Sequence, residues 1–207
     1  MRFEAETSRA DKNVCPTNFS GKGKMRLEEL NRMTEEKAEA ALLACCGSRR
    51  WARALAARRP LQDKEQLLRA ADGIWGSVGR EDWLEAFRCH PRIGEKTIPP
   101  QRRPSTSLGA GRERREDAEK EAGWSEEEQA GARGASGETR AALAEANRAY
   151  EARFGYIFIV CATGKSAEEM LALLRQRLQN DPDAELRIAA EQQRQITHLR
   201  LEKLLEA

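Results

Sequence analysis

The chain has 207 residues, which suffice for one domain with additional sequence at its ends or in loops. Its 36 basic and 34 acidic side chains leave a formal charge of +2, so the composition predicts no broad positive surface for nucleic acid. No run approaches the roughly 18 apolar residues of a membrane-spanning helix, and the first residues lack the apolar core of a signal peptide, so we expect neither segment. Five cysteines without C-x-x-C spacing predict reduced thiols in an intracellular protein, and with only two histidines we expect no Cys/His zinc site.

The first part of the chain predicts short helices after a disordered start. Residues 1–25 are polar and aperiodic, which predicts a disordered leader, and the folded domain is expected over residues 26–206. Thr34 is the predicted N-cap of a helix that ends at Gly47. Further helices are predicted over residues 51–57, 64–78 and 80–90, each closed by a nearby glycine or proline.

Residues 97–123 break this pattern. They hold three prolines, three glycines and a run of mixed charge from Arg112 to Asp117. Such a composition predicts a flexible insertion. Because the arginines alternate with acids and have no aromatic neighbours, a solvated loop is favoured over a nucleic-acid patch.

The second part of the chain predicts three helices and one extended segment. The helices are expected over residues 138–153, 166–179 and 184–205, and Ser166 with Glu169 forms a capping box for the second of them. The apolar run at 156–162 is rich in β-branched residues, which predicts an extended conformation. One extended run cannot form a sheet, so we predict an all-α fold: a single-domain bundle of eight to nine helices with one short buried extended segment.

The first candidate for chemistry is His90. Trp83, Phe87 and His90 stand at i, i+4 and i+7, so they share one helix face, and Pro91 disfavours helix at the residue before it. An imidazole with an ordinary pKa of about 6.5 can exchange a proton near neutrality. A single histidine of this kind is more often a helix cap or a satisfied core side chain, so His90 alone does not decide the function.

The last predicted helix carries the second candidate, Arg200. Helical spacing places it near the centre of an apolar stripe, whereas His198 and Arg194 fall on the opposite side and are expected in solvent. A buried guanidinium must find an anion. A buried salt bridge satisfies this need, and so does a bidentate contact with a carboxylate or ureido-type substrate. The stripe is formed by Leu186, Ala189, Gln193, Ile196, Arg200 and Leu204.

Ser125 and Glu128 form the third candidate. Their spacing fits a capping box at a helix start, in which both side chains bond backbone N–H groups. The same amides attract anions, and Glu128 could partner His90 and raise the pKa of the imidazole. Sequence alone favours the cap, and Gln129 by itself indicates nothing.

Four motifs together resemble the decarboxylases of 2-oxo-4-hydroxy-4-carboxy-5-ureidoimidazoline (OHCU) in urate breakdown. The resemblance covers about residues 27–205 and is nearest to the plant and algal members, in which a hydroxyisourate hydrolase domain often follows; we do not expect that second activity here. The motifs are Trp83-Leu-Glu-Ala-Phe-Arg-Cys-His90-Pro91-Arg-Ile-Gly94, Trp124-Ser-x-x-Glu128-Gln129, Tyr150-Glu-x-Arg-Phe-Gly-Tyr-Ile-Phe158-Ile-Val-Cys161-Ala162 and Ile196-Thr-His-Leu-Arg200-Leu201.

The resemblance implies a carboxy-lyase with an all-α, usually dimeric fold. Such enzymes convert OHCU to (S)-allantoin without a metal or organic cofactor. His90 is then the catalytic acid/base and Glu128 its acidic partner, while Arg200 binds the polar edge of the substrate. The implied substrate-binding residues are Pro91, Ser125, Gln129, Phe158, Ile159, Val160, Cys161, Ala162 and Arg200.

Two departures from the family and two alternatives remain. The insertion separates His90 from Glu128 by 38 positions, and Phe154-Gly-Tyr-Ile-Phe158 replaces the frequent Phe-Gly-Phe-Pro-Phe. A helical binding module and a catalytically inactive paralogue are the alternative functions. Family relatives work with urate oxidase and hydroxyisourate hydrolase and often enter peroxisomes. This chain lacks a Ser-Lys-Leu ending, so we expect either a peroxisomal or a cytoplasmic location.

Overall fold

The described structure is built from helices. A computed structural model describes residues 25–93 and 135–205, which contain eight α-helices and one isolated bridge between Met25 and Leu205. The helices are α1 (Leu27–Arg32), α2 (Glu35–Cys46), α3 (Arg49–Ala56), α4 (Lys64–Ser77), α5 (Arg80–Phe87), α6 (Gly137–Phe154), α7 (Ala167–Arg177) and α8 (Pro182–Leu204). The all-α prediction is confirmed. The predicted leader, except Met25, and the predicted insertion lie outside the described residues, so the domain boundaries stay predictions.

The helix starts follow the sequence signals. Thr34 Oγ1 accepts a hydrogen bond from the Lys37 N–H at 3.4 Å, and Ser166 and Glu169 form the predicted reciprocal capping box. Ser48 is the N-cap of α3, which therefore begins at Arg49, two residues earlier than predicted.

The longest helix, α8, is the centre of the bundle. It packs against α2, α4 and α5, while α6 packs on α7. Two buried tryptophans fix neighbouring helices by their indole N–H groups: Trp51 donates to the Ala71 carbonyl at 3.0 Å, and Trp75 donates to the Ala190 carbonyl at 2.9 Å. The second of these bonds ties α4 to the face of α8 that leads to the candidate site.

The turn after α5 differs from the predicted helix in a way that matters for the site. The helix ends at Phe87, and the His90 N–H bonds the Phe87 carbonyl at 3.2 Å, so His90 lies on a tight turn. Pro91 accounts for this because it disfavours the α conformation at His90. Helical spacing therefore does not apply to the residues after Phe87, and it cannot place His90 on the same face as Phe87.

A close approach joins the ends of α2 and α5. Gly47 ends α2 in the left-handed conformation with φ 84°, and a Cβ there would lie 2.9 Å from Cβ and Sγ of Cys89. Only glycine allows this approach, because any side chain would push the Cys89 turn away. The glycine thus sets the position of the residue that precedes His90.

The segment at 156–162, named the extended segment after its predicted conformation, is mostly buried, as predicted, and forms neither helix nor strand. Its first aromatic ring, that of Tyr156, packs on Phe87 with ring centroids 5.4 Å apart. Phe158 contacts Tyr150 edge-on, with the centroids 5.2 Å apart. These rings connect the end of α5 to the extended segment. Among the described helices, none has the length and apolar character needed to cross a membrane.

Candidate active site

His90 presents one deeply buried ring nitrogen. The Nε2 atom has no hydrogen-bond partner of normal geometry among the described residues, although the side chain as a whole is only half-buried. Burial lowers the pKa of His90 to about 3; the nearby Arg200 charge lowers it further, and the Gln193 carboxamide opposes the shift. The ring is therefore a neutral imidazole at neutral pH in the ligand-free protein.

Arg200 is buried, as its position on the apolar stripe predicts, with 4% of its surface exposed. Its charge acts on the pKa of both His90 and Cys46. The guanidinium group on α8 therefore lies near the ends of α2 and α5. Two of the predicted site residues, His90 and Arg200, are thus brought together from positions far apart in the sequence.

Three residues near Arg200, namely Gln193, Thr197 and Cys46, were not predicted to have a role. Gln193 and Thr197 precede Arg200 by seven and three positions, so helical spacing puts all three on one face of α8. The Gln193 amide nitrogen donates to the Cys46 carbonyl at 3.4 Å and to Thr197 Oγ1 at 3.3 Å. Burial raises the pKa of the Cys46 thiol to about 12, so this side of the pocket carries no negative charge from it. The available signal was Gln193 itself, a polar residue within an apolar stripe.

The backbone of the extended segment is already held at three points. The Arg177 Nη1 donates to the Ile159 carbonyl, and Lys165 Nζ to the Cys161 carbonyl, each at 2.8 Å. The Cys161 N–H donates to Gln192 Oε1 on α8 at 2.9 Å. These three groups, which the family resemblance assigned to the substrate, are bonded to the protein itself.

A buried ionic network supports this segment from behind, and no sequence pattern predicted it. Glu185 is fully buried and accepts hydrogen bonds from the Tyr150 hydroxyl, from Arg177 Nε at 2.8 Å and from Asn180 Nδ2 at 2.7 Å. The Arg177 guanidinium also lies over the Phe158 ring, 4.7 Å from its centroid. One carboxylate thereby fixes the side chain that holds the Ile159 carbonyl.

The remaining predictions for the site have different outcomes. Pro91 is half-buried directly after His90, while Ser125, Glu128 and Gln129 lie outside the described residues, so the predicted pairing of His90 with Glu128 stays a prediction. Among the residues that the structure describes, no group of three or more His, Cys, Asp or Glu side chains could hold a metal ion.

His198 and Arg194 lie on the outer side of α8, as predicted, but they are only partly exposed because both contact Asp72. His198 Nε2 lies 2.7 Å from Asp72 Oδ1, and Arg194 also bonds Asp72, at 3.2 Å; about a third of each side chain's surface or less is exposed. The cause is the packing of α4 on this side of α8, which brings Asp72 within reach. This cluster lies at the surface and is separate from the pocket of His90.

Comparison with known proteins finds relatives across most of the chain. A family model for OHCU decarboxylase matches residues 31–202. The uric acid degradation bifunctional protein TTL of Arabidopsis thaliana is 38% identical over 160 residues, which are 77% of this chain and 45% of that protein. The OHCU decarboxylase of Amia calva is 30% identical over 58% of this chain and 59% of its own length. The chain thus spans about half the length of these curated relatives.

Solved structures give the same picture for the fold. A crystal structure of OHCU decarboxylase in the presence of (S)-allantoin matches with a TM-score of 0.62 and 34% identity, covering 83% of this chain and 98% of that chain. A structure of (S)-allantoin synthase also has a TM-score of 0.62, over 87% of this chain and 54% of its own; at 18% identity it shows similarity of fold alone.

Proposed function

The chain belongs to the OHCU decarboxylase family, and on this premise we propose that it converts OHCU to (S)-allantoin in urate degradation. The observation that carries the proposal is that the buried Arg200 guanidinium lies close enough to His90 for its charge to act on the pKa of the imidazole. A proton-exchanging ring beside a fixed cation is what the decarboxylation of a small anion requires. A partner-docking surface has no need of either group inside the bundle.

Binding of the substrate is proposed to begin at Arg200. A guanidinium offers donors in a planar fork that matches a carboxylate or ureido group, and burial strengthens the contact. The neutral imidazole of His90 does not compete with Arg200 for the anion. When the substrate's negative charge arrives beside the ring, it raises the pKa of His90, so the ring gains a proton as the anion binds.

The chemical step then uses that proton. The bond between the ring carbon and the carboxylate breaks to release CO2, and its electron pair forms a C=C bond while the adjacent C=N electrons move onto nitrogen. His90 donates its proton to the former C=N carbon, which becomes the stereocentre, from one face only, and this gives the S product; the proton of the hydroxyl group passes to the nitrogen and leaves a carbonyl. The surrounding rings of Phe87 and Phe158 are buried, and such a dry environment favours a transition state in which charge is dispersed.

The other predicted residues keep narrower roles in this proposal. Glu128 orients His90, while Ser125, Gln129 and Pro91 contact the substrate. Within the extended segment, the bonds made by Arg177, Lys165 and Gln192 occupy the Ile159 carbonyl and both backbone groups of Cys161. The Ala162 carbonyl accepts the Lys165 N–H at 3.0 Å. The backbone proposed to face the substrate is therefore that of Phe158 and Val160, with the N–H groups of Ile159 and Ala162.

The cellular setting follows the same premise. We propose that the protein acts as a homodimer in the peroxisome or cytoplasm and uses the product of urate oxidase and hydroxyisourate hydrolase. Size-exclusion chromatography with light scattering tests the dimer directly.

The proposed activity is tested with freshly generated OHCU, made from urate by urate oxidase and hydroxyisourate hydrolase. Circular dichroism follows the formation of (S)-allantoin by the native chain, His90→Asn and Arg200→Ala. His198→Gln is the matched control, since it removes the other histidine, outside the pocket. We expect turnover to be lost in His90→Asn, to fall in Arg200→Ala and to persist in the control.

Either of two results would contradict this proposal. Equal rates of chiral product in His90→Asn and the native chain would remove His90 from the chemistry. Product no faster than the spontaneous decay would favour the inactive paralogue or the binding module.

A further inference from the structure

The extended segment is fastened to α8 at two points. Gln192 Oε1 accepts the Cys161 N–H at 2.9 Å. The Ile159 carbonyl accepts from Arg177 at 2.8 Å, and Arg177 in turn donates to Glu185 on α8 at 2.8 Å. Glu185 and Gln192 are seven positions apart, so they lie on one face of the helix. Two residues of the segment are thus held at two points along the same face.

The Gln192 carboxamide has one orientation. Its partner on the segment is a backbone N–H, which can only donate, so the atom that faces Cys161 is the amide oxygen. The amide nitrogen donates to Gln195 Oε1 at 3.4 Å, and the Gln195 nitrogen donates to Glu191 Oε1 at 3.2 Å. This chain of side chains along α8 keeps the Gln192 oxygen directed at the segment.

Side chains bond both backbone groups of Cys161. Besides the bond to Gln192, the Cys161 carbonyl accepts from Lys165 Nζ at 2.8 Å. Among the residues that the structure describes, no strand pairs with this segment. Its position therefore depends on a few side-chain contacts, so the loss of one contact can displace part of the segment while the helices stay packed.

The helix that holds the segment also carries Arg200. Gln192 and Arg200 are eight positions apart in the continuous helix Pro182–Leu204, so their Cα atoms are separated by about 12 Å along its axis. The hydrogen-bonded helix keeps this separation constant. A bond that fixes the segment to Gln192 therefore also fixes the segment relative to Arg200.

We propose that Gln192 is a positioning residue for the substrate: it holds the backbone of the extended segment at a set distance from Arg200, so that both bind one small molecule together. The inference rests on the proposed function, in which this backbone and Arg200 contact OHCU. Gln192 is half-buried and acts through Cys161. Binding groups that are held in place before the substrate arrives lose less entropy when it binds.

Hydrogen exchange measures the proposed contact in the ligand-free full chain. The chain has five cysteines, so ¹⁵N-cysteine labelling gives at most five amide signals, and Cys161→Ser identifies the one from Cys161. We expect Gln192→Leu to speed the exchange of this amide by roughly 10-fold or more. Gln192→Glu keeps an acceptor and should leave the amide protected. Gln195→Leu is the matched control, since the hydrogen bonds of Gln195 go to Gln192 and Glu191 instead of the segment.

Kinetics separate positioning from a structural role. Gln192→Leu is expected to raise the KM for OHCU roughly 3-fold to 10-fold, with a smaller change in kcat, because the segment loses one hydrogen bond that holds it for binding. Gln192→Glu should restore the native KM. A purely structural role would lower the Tm and leave the KM of the folded protein unchanged. If Gln192→Leu fails to fold, Gln192→Asn replaces it, because the shorter side chain keeps the amide but withdraws its oxygen from Cys161.

Two results overturn the proposal. One is equal exchange of the Cys161 amide in the native chain and in folded Gln192→Leu. The other is a Gln192→Leu variant that loses this protection but keeps the native KM. Failure of the proposed function is distinguishable: a native chain that does not decarboxylate OHCU contradicts the activity, whereas the exchange of the Cys161 amide still decides whether Gln192 holds the segment.

Discussion

Glu185 offers the sharpest test of how the extended segment is held. Its carboxylate is fully buried and accepts from three donors, on Tyr150, Arg177 and Asn180. Burial raises the pKa of the Tyr150 phenol above its usual range, so that group remains a donor. The perturbation is Glu185→Gln, which keeps the shape of the side chain but removes its charge and turns an NH₂ group toward donors.

The expected loss of stability follows from burial. With the carboxylate gone, the Arg177 guanidinium stays in the interior with 9% of its side chain exposed and no opposite charge beside it within the network. Removing one partner of a buried ion pair typically costs about 3–5 kcal/mol. For a chain of this length a change of 1 kcal/mol moves the Tm by about 2–4 °C, so we expect the Tm to fall by on the order of 10 °C.

Differential scanning calorimetry at neutral pH measures the effect, and the chain supplies a matched control. Glu65 pairs with Arg69 at 3.0 Å one helical turn away, but both side chains are largely exposed. Glu65→Gln should cost no more than about 0.5 kcal/mol. The reasoning is refuted if the two substitutions lower the Tm equally.

A double variant separates the charge from the packing. Glu185→Leu with Arg177→Met removes both charges. We expect the double variant to lose less stability than the sum of the two single variants, because each single variant leaves one unpaired charge buried and the double variant leaves none. Strict additivity would show that the two side chains do not act as a pair.

Two further predictions concern the pocket itself. Gly47→Ala should lower the free energy of unfolding by about 1–3 kcal/mol and reduce turnover, because the new Cβ would lie 2.9 Å from Cys89 in addition to the strain of a positive φ. Gly164→Ala is the control, since Gly164 has φ 77° but open space around it. Equal denaturation midpoints for the two variants would contradict the steric argument. His90 should lower the stability of the folded state in acid. Its pKa is about 3 in the folded state and about 6.5 in the unfolded state, so between these values the unfolded state binds the extra proton. The free energy of unfolding therefore falls as the pH drops from about 6.5 toward 3, by up to about 1.4 kcal/mol per pH unit from this residue. Urea titrations across this range should show a shallower dependence in His90→Asn than in His198→Gln, and identical slopes would oppose the assigned burial.

Local rules predicted the parts of the fold that depend on neighbouring residues. The capping box of Ser166, the N-cap at Thr34 and the end of α2 at Gly47 each depend on residues within one turn. The burial of Arg200 followed from helical periodicity, which assigns a residue to a face whatever lies opposite.

The network of Glu185 depends on contacts that such rules do not contain. Arg177 and Glu185 lie on different helices. Both helices carry many charged residues, so the sequence could not distinguish these two from charged residues that are exposed to solvent. Their pairing depends on how α7 and α8 meet after the intervening turn. The contact between His198 and Asp72 was missed for the same reason, since it requires knowing that α4 covers that side of α8.

Within the pocket, the sequence could identify groups but not their relations. His90 and Arg200 were found by residue type and spacing, whereas the low pKa of His90 arises from burial and from the distance between the two groups. Gln193 could be placed on the inner face of α8, but the direction of its amide is set by the Cys46 carbonyl on another helix.

The bridge between Met25 and Leu205 brings the two ends of the described fold side by side. The Met25 N–H donates to the Leu204 carbonyl at 2.9 Å, so one hydrogen bond spans nearly the whole chain. A short linker between the two ends would therefore allow circular permutation, with new termini opened elsewhere. The same amide can form its bond only when Met25 is docked on the end of α8. Its hydrogen exchange would thus report the docking of the first described residue on the last helix.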